Sequence, residues 1–296
     1  MTQGKHFEFL KIVRECSTGV MGIKFSPDGS KVIASEYSGP LRMYDVMSGQ
    51  QLQTYGGNLN YFPAEFSPDG STIVSCSGNT TIPIFDTASG GQLRLLVGHM
   101  DSVRNVHFSS DGKYIVSCSD DKTIRLWDIE FGIELQKLTG HSLGVLDAHF
   151  SPDMNTVVSA SMDKTIGIWD IQSGKRMKEL KGHFNSVVRA QFSPDGQFIV
   201  SCSFDKTIRL WKVKSGKELK KMVGHSDYVR DVKYFSDGQT IVSCSADKKI
   251  RLWNAQFGFE IQMLEGHTKE VTEIDISPID NTIVSCSIDQ TIQIWG

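Results

Sequence analysis

No run of about 18 apolar residues occurs in the 296-residue chain, so no membrane-spanning helix is expected. The first residues, Met1–His6, are polar and lead into no long apolar core, so no secretory leader is expected either. Neither sign of charge dominates: 31 Lys and Arg stand against 34 Asp and Glu, a net charge of −3. That balance gives no global pull toward nucleic acid or an anionic membrane. Cysteine is sparse, with six residues and no Cys-x-x-Cys pair. Five of the six (Cys76, Cys118, Cys202, Cys244, Cys286) fall in one recurring slot of a β-rich run, the pattern of small buried residues in a reducing compartment. A cytoplasmic or nuclear location is therefore expected, with no metal and no cofactor, since metal-ligand spacing is missing from the cysteines. No phosphate-cradling Gly-rich loop is present, nor any linker or low-complexity tract.

What the chain does have is repetition. The segment from Gly98 to Asp128 recurs to the last residue, with Trp127, Trp169, Trp211, Trp253 and Trp295 spaced by 42. Gly98-His99, Gly140-His141, Gly182-His183, Gly224-His225 and Gly266-His267 keep the same period. A fixed period of this size marks one supersecondary unit packed against copies of itself. Within a unit, Val103, Val106 and Phe108 are apolar with a three-residue step and then a two-residue step. That reads as a strand carrying one extra residue, a β-bulge. Ser-Ser-Asp-Gly, elsewhere Ser-Pro-Asp-Gly, is turn chemistry. Tyr114–Ser119, Thr123–Trp127 and Glu134–Leu138 then read as three further short strands. A sheet of four such strands cannot bury both faces alone, but copies stacked radially can, which predicts an all-β, seven-bladed β-propeller of four-stranded antiparallel blades. The count of seven uses the five tryptophans plus Tyr44 and Phe85 in the same slot. The first two units depart from the pattern. Cys16 and Gly57 stand for His, Ser38 and Asn79 for the turn Asp, and Pro83 lies within a third strand.

With its Gly-His…Trp-Asp signature at this period, the chain resembles the WD-repeat (β-transducin-like) family over nearly all of its length. The resemblance implies that residues 1–296 form a single propeller domain. Phe9–Val13 aligns with the fourth strand Glu134–Leu138, whereas the last unit stops at Trp295-Gly296 after its third strand. The spacing predicts that Phe9–Val13 pairs beside Thr291–Trp295, closing the ring and removing two raw sheet edges.

Each regular unit brings together His, Ser, Asp and Trp, as in His99, Ser117, Asp121 and Trp127 or His183, Ser201, Asp205 and Trp211. The resemblance implies that these form a hydrogen-bonded chain inside each blade, in which the indole N–H needs an acceptor and His links Ser to the turn Asp. A Ser-His-Asp hydrolase triad uses the same residue types. Five copies in phase argue for scaffold, and loss of His and Asp together with Trp in the first two units is what a structural network would show. No catalytic residue is expected, and the chain reads as a non-enzyme.

Slots that repeat hold the blade; exposed slots that vary can be tuned to a partner. At the bulge stand Met21, Phe62, Arg104, Leu146, Val188, Arg230 and Thr272, and before the turn Asp stand residues such as Met162 and Phe204. In the family these slots ring the channel mouth on the loop face. Their large apolar, aromatic and arginine content fits interface anchors. The expected partner-binding set is Phe62, Arg104, Leu146, Met162, Phe204, Tyr228 and Arg230, on a monomeric propeller that docks proteins or short peptides and assembles a multiprotein complex. Nucleic acid is not the expected partner. The alternative is a basic rim over residues 175–221 (Lys175, Arg176, Lys178 and Lys181, then Lys212, Lys214, Lys217, Lys220 and Lys221) that binds RNA or anionic lipid. Lysines that keep outer strands from pairing with other chains explain the same charges.

Overall fold

A computed structural model describes residues 6–37, 39–56, 63–76 and 78–296. The described residues form 28 strands, in seven four-stranded antiparallel sheets. No helix among them is long and apolar enough to cross a membrane. Blade 3 shows how the repeat builds a sheet. Val103–Phe108 is its inner strand, followed outward by Tyr114–Ser119, Thr123–Asp128 and Ile133–Thr139. The inner strand slips register between Val103 and Asn105, so residue 104 is the extra one that the apolar spacing predicts. The same slip recurs in blades 1 and 4 to 7. A second slip, between Leu126 and Trp127 where the third strand meets the fourth, has no counterpart in the sequence reading.

The turns follow their residue types. In Ser26-Pro27-Asp28-Gly29, Asp28 Oδ1 accepts from Ser26 Oγ at 2.5 Å and from the Ser30 amide at 3.0 Å. Gly29 takes φ of +68°, the left-handed conformation that costs glycine nothing. The glycine of Gly98-His99 has a different reason. A Cβ there would lie 2.8 Å from Trp127 Cη2, so the indole fills the space a side chain would need.

The apolar core lies between blades. Val116, Cys118, Ile124, Leu126 and Leu138 of blade 3 pack against Val145, Ala148, Val157 and Trp169 of blade 4. All six cysteines are buried and unpaired, and burial pushes the Cys16 thiol up to about 12 and raises the other five as well.

The ring closes as the repeat phase predicts. Phe9–Glu15 is the outer strand of blade 7 and pairs antiparallel with Thr291–Trp295. Val13 and Cys16 complete the wedge between Val284, Cys286, Ile292 and Ile294 of blade 7 and Val20, Ile23 and Tyr44 of blade 1. The clasp reaches further than the predicted strand. The Glu8 amide donates to the Gly296 carbonyl at 3.0 Å and Gly296 donates back at 3.1 Å. Phe7, only 5% exposed, packs on Phe235 of blade 6 with ring centroids 5.6 Å apart. Its backbone exchanges two hydrogen bonds with the Gln262 side chain, at 3.0 and 2.7 Å.

Candidate functional site: the loop face and the central channel

The His-Ser-Asp-Trp sets come first, because they decide what kind of site this is. In blade 3 the Trp127 indole donates to Ser117 Oγ at 2.8 Å, Ser117 Oγ meets His99 Nε2 at 2.8 Å, and His99 Nδ1 meets Asp121 at 2.9 Å. One orientation satisfies every atom: indole N–H to serine, serine O–H to Nε2, Nδ1–H to carboxylate. Blades 4 to 7 repeat the chain at Ser159, Ser201, Ser243 and Ser285. Burial alone would raise the Asp121, Asp163, Asp205 and Asp289 carboxyls. Hydrogen bonds from the histidine and from neighbouring turn groups outweigh it and hold them well below the usual range. Asp247 is held at about 2 for the same reasons.

This geometry is unsuited to nucleophilic attack. The five serines are fully buried, and each hydroxyl is already bonded on both sides. One pentapeptide, Gly140-His141-Ser142-Leu143-Gly144, does have the spacing of a nucleophile elbow, which corrects the expectation that the sequence holds no such motif. It lies in the loop leading into the strand Val145–Phe150, with no helix after it, and the Ser142 amide donates to Asp163. The strained strand-to-helix turn such a motif needs is missing there.

Blade 1 solves the same problem with other residues. Tyr44 occupies the Trp slot, and its hydroxyl donates to Glu36 Oε1 at 3.0 Å. Glu36 is 1% exposed and is also paired with Arg42. Glu36, at the end of the strand Lys31–Glu36, has no counterpart among the repeated residues and is not legible as a partner for Tyr44 in the sequence.

On the loop face, five of the expected partner-binding residues, Arg104, Leu146, Met162, Phe204 and Arg230, line one cavity of about 400 Å³. Tyr228 stands beside it, its ring centroid 4.8 Å from that of Phe204. The Arg230 guanidinium lies over Phe204 at 5.0 Å and pairs with Glu270. Arg104 Nε donates to Asp120 at 2.8 Å. Phe62 lies outside the described residues. The slots are held by the backbone: the Met162 amide donates to the Gly144 carbonyl at 2.9 Å and the Phe204 amide to Ser186 at 3.1 Å. The side chains that vary between blades are thus presented from fixed positions.

Of the rim residues, Arg176, Lys178 and Lys181 lie on the outer strand Arg176–Lys181 and Lys220 and Lys221 on Glu218–Val223 of the adjacent blade, whereas Lys212 ends the third strand Thr207–Lys212 and Lys175, Lys214 and Lys217 lie in the turns. Several are already engaged. Arg176 and Lys181 both pair with Glu179, at 3.1 and 3.2 Å, and Lys212 donates to Gln197 at 2.9 Å.

Beneath the loop-face cavity the channel is filled by charge, which the sequence reading does not anticipate. Lys24 Nζ bonds Glu273 at 2.5 Å, and Arg189 lies 3.6 Å from Asp231 and 3.8 Å from Glu273. Asp147, Asp231 and Glu273 are almost fully buried. Burial opposes the charged form of Glu273, but Lys24 and Arg189 hold its carboxyl below the ordinary range. Asp147, Arg189, Asp231 and Glu273 share one slot of the inner strand, the position directly after the bulge, and Lys24 reaches them from two residues further along its own strand. The propeller therefore carries an ionic layer across its axis, where seven inner strands converge.

The family model for the WD domain, G-beta repeat, matches residues 49–86, 90–128, 132–170, 174–212, 216–254 and 258–296. The chain belongs to the WD-repeat family. Each matched repeat runs from the outer strand of one blade through three strands of the next, so neighbouring blades are linked by shared sequence units. The inner three strands of blade 1 and the closing strand Phe9–Glu15 fall outside the matches, in keeping with the Tyr44–Glu36 substitute network. Comparison with curated proteins returned no match. The WD-repeat propeller is generally a protein-interaction scaffold, and its members are typically non-enzymatic.

Proposed function

We propose that this propeller docks a peptide or partner subunit on its loop face, over the cavity bounded by Arg104, Leu146, Met162, Phe204 and Arg230, and so assembles a multiprotein complex. The observation that carries this reading is the stacked set Tyr228–Phe204–Arg230 beside Leu146 and Met162. It combines two aromatic rings, a guanidinium and apolar walls, the residue types that dominate interface energetics. The three arginines lining the cavity, Arg104, Arg189 and Arg230, are all paired with acidic neighbours, so the surface offers directed hydrogen bonds and apolar area rather than a net positive field. An extended peptide with an apolar or aromatic anchor and adjacent polar groups fits that chemistry.

The test is affinity capture from cells of the source organism with the full chain and with a Phe62→Ala/Phe204→Ala/Arg230→Ala variant of unchanged melting temperature. The reading expects a stoichiometric protein partner retained by the parent chain and lost by the variant. Identical recovered sets would refute the site. Retention on heparin or RNA that survives about 0.3 M salt, well beyond the range of diffuse attraction, would favour the basic rim instead.

A further inference from the structure

At the mouth opposite the loop face, His107, His149 and Asp147 bring three donor atoms together at the junction of blades 3 and 4, all within 4.8 Å of one another. His107 Nε2 lies 3.3 Å from Asp147 Oδ1 and His149 Nε2 lies 3.3 Å from Asp147 Oδ2. The two imidazoles are stacked, with centroids 3.7 Å apart. From these contacts we infer that His107, His149 and Asp147 form a binding site for a divalent transition-metal ion of the zinc type, with a fourth position open to solvent.

Each imidazole nitrogen stands 3.3 Å from one oxygen of Asp147, close to the spacing of about 3.4 Å between neighbouring donors of a tetrahedral site with bonds of about 2.1 Å, and the wider set, within 4.8 Å, would draw together around an ion. Two imidazole nitrogens and a carboxylate oxygen are also the ligand types zinc accepts at sites that keep one position free. The surroundings are those of a built site. His107 Nδ1 bonds Glu65 Oε2 at 2.5 Å, the carboxylate–histidine contact that fixes a ligating tautomer and turns Nε2 toward the metal. Asp147 is fully buried and is oriented by Asn105 Nδ2 at 2.8 Å and the Ala190 amide at 3.1 Å. His149 is half-buried and, with His107, borders a cavity of about 510 Å³ that supplies an entry path and room for a water ligand.

Charge points the same way. In this part of the channel the carboxyl groups of Glu65, Asp147, Asp231, Glu273 and Asp275 face the cationic side chains Lys24, Arg189 and Lys233, so carboxyl groups outnumber fixed cations among the described residues. A divalent ion in the gap where two nitrogens meet a carboxylate would offset that excess. The expectation of no metal rested on cysteine spacing. These ligands are instead histidines one repeat apart, with Asp147 two residues before His149, on the same face of a strand.

The experiment uses the untagged full chain, stripped with EDTA and dialysed against micromolar free zinc, with bound metal counted by atomic absorption. One equivalent is expected for the parent chain and none for His149→Gln or for His107→Gln/His149→Gln. Glu65→Gln should bind about 10- to 100-fold more weakly, as loss of such an outer partner does elsewhere. Cobalt in place of zinc should give the intense visible bands of a four-coordinate site. In a zinc-soaked crystal the anomalous peak should lie between both imidazoles and Asp147, which answers the question even if the variants fail to fold. A parent chain that binds no zinc, a His149→Gln variant that keeps its equivalent, or a peak elsewhere overturns the assignment and leaves protons as the only cations between these groups.

Discussion

Replacing Asp205 by alanine removes the acceptor at the head of the blade 5 chain, and the structure sets the cost. Its carboxylate accepts from His183 Nδ1 at 2.8 Å, Thr207 Oγ1 at 2.6 Å, the Thr207 amide at 3.0 Å and the Phe184 amide at 2.9 Å. Phe184 sits at the surface, so water replaces its partner. The imidazole is 1% exposed and the Thr207 groups are buried, so these are stranded at about 1–3 kcal/mol each. Part of that is recovered because a buried charge is no longer carried, and the net loss is about 3 kcal/mol. With an unfolding entropy of about 2 cal/mol/K per residue, the melting temperature should fall by about 5 °C. Urea unfolding at pH 7 measures the free energy directly, and a cycle with His183→Ala should show a coupling of about 1–3 kcal/mol. The pH dependence adds a signed check. The folded carboxyl titrates below its unfolded value, so its contribution is fully present above about pH 4 and is lost as pH falls from there toward the folded value. His183 is held below its ordinary value by burial while Asp205 pulls it the other way, so losing Asp205 depresses it further and the variant sheds additional stability as pH falls through the ordinary histidine range. The gap between parent and variant should therefore widen from pH 7 to pH 5 and, in a His183→Ala background where the imidazole no longer contributes, narrow below about pH 4 as the carboxyl protonates. A loss below about 1 kcal/mol, additive single effects, or a gap that does not narrow in acid in the His183→Ala background would refute the account of the tetrad.

Removing residues 1–13 strips the outer strand from blade 7 and exposes the edge of Thr291–Trp295. The truncated chain should aggregate or melt more than about 10 °C lower, read by light scattering and calorimetry. Phe7→Ala should cost about 3 kcal/mol in urea unfolding, because the ring is buried against Phe235. The six thiols should resist an aromatic disulfide reagent in the native protein, and all six should react in denaturant without reductant.

The features most legible in the sequence were those that repeat in phase. The uneven step Val103–Val106–Phe108 announced the bulge, and the orphan strand near Phe9 announced the closure, because both follow from hydrophobic spacing and strand count alone. The illegible features arise only when copies are bent into a ring. The slot after the bulge holds Asn105, Asp147, Arg189, Asp231 and Glu273, which reads along the chain as random charge on a strand. Convergence of the inner strands turns it into a compensated layer. His107 and His149 were visible as the same slot of two units, yet nothing local says that neighbouring inner strands would stack the rings at 3.7 Å. Glu36 carries no repeat signature, because blade 1 meets the same need for a buried acceptor with a different residue. The loop-face residues were chosen by their variation between units. Five of them border one cavity because a backbone hydrogen bond ties each turn slot to the residue two places before the bulge, as Met162 to Gly144 and Phe204 to Ser186.

The reciprocal pairing of Glu8 with Gly296 has a consequence for how the chain could be rewired. The two ends of the closing blade sit one hydrogen bond apart, so a short linker could join them and a new start could be cut in any exposed turn, such as that around Gly174. In such a rearranged chain the seam would be a covalent bond, and the strands Thr165–Asp170 and Arg176–Lys181 of blade 4 would have to find each other by contact alone. Comparing its unfolding rate with that of the parent would report how much of the ring's persistence resides at that one junction.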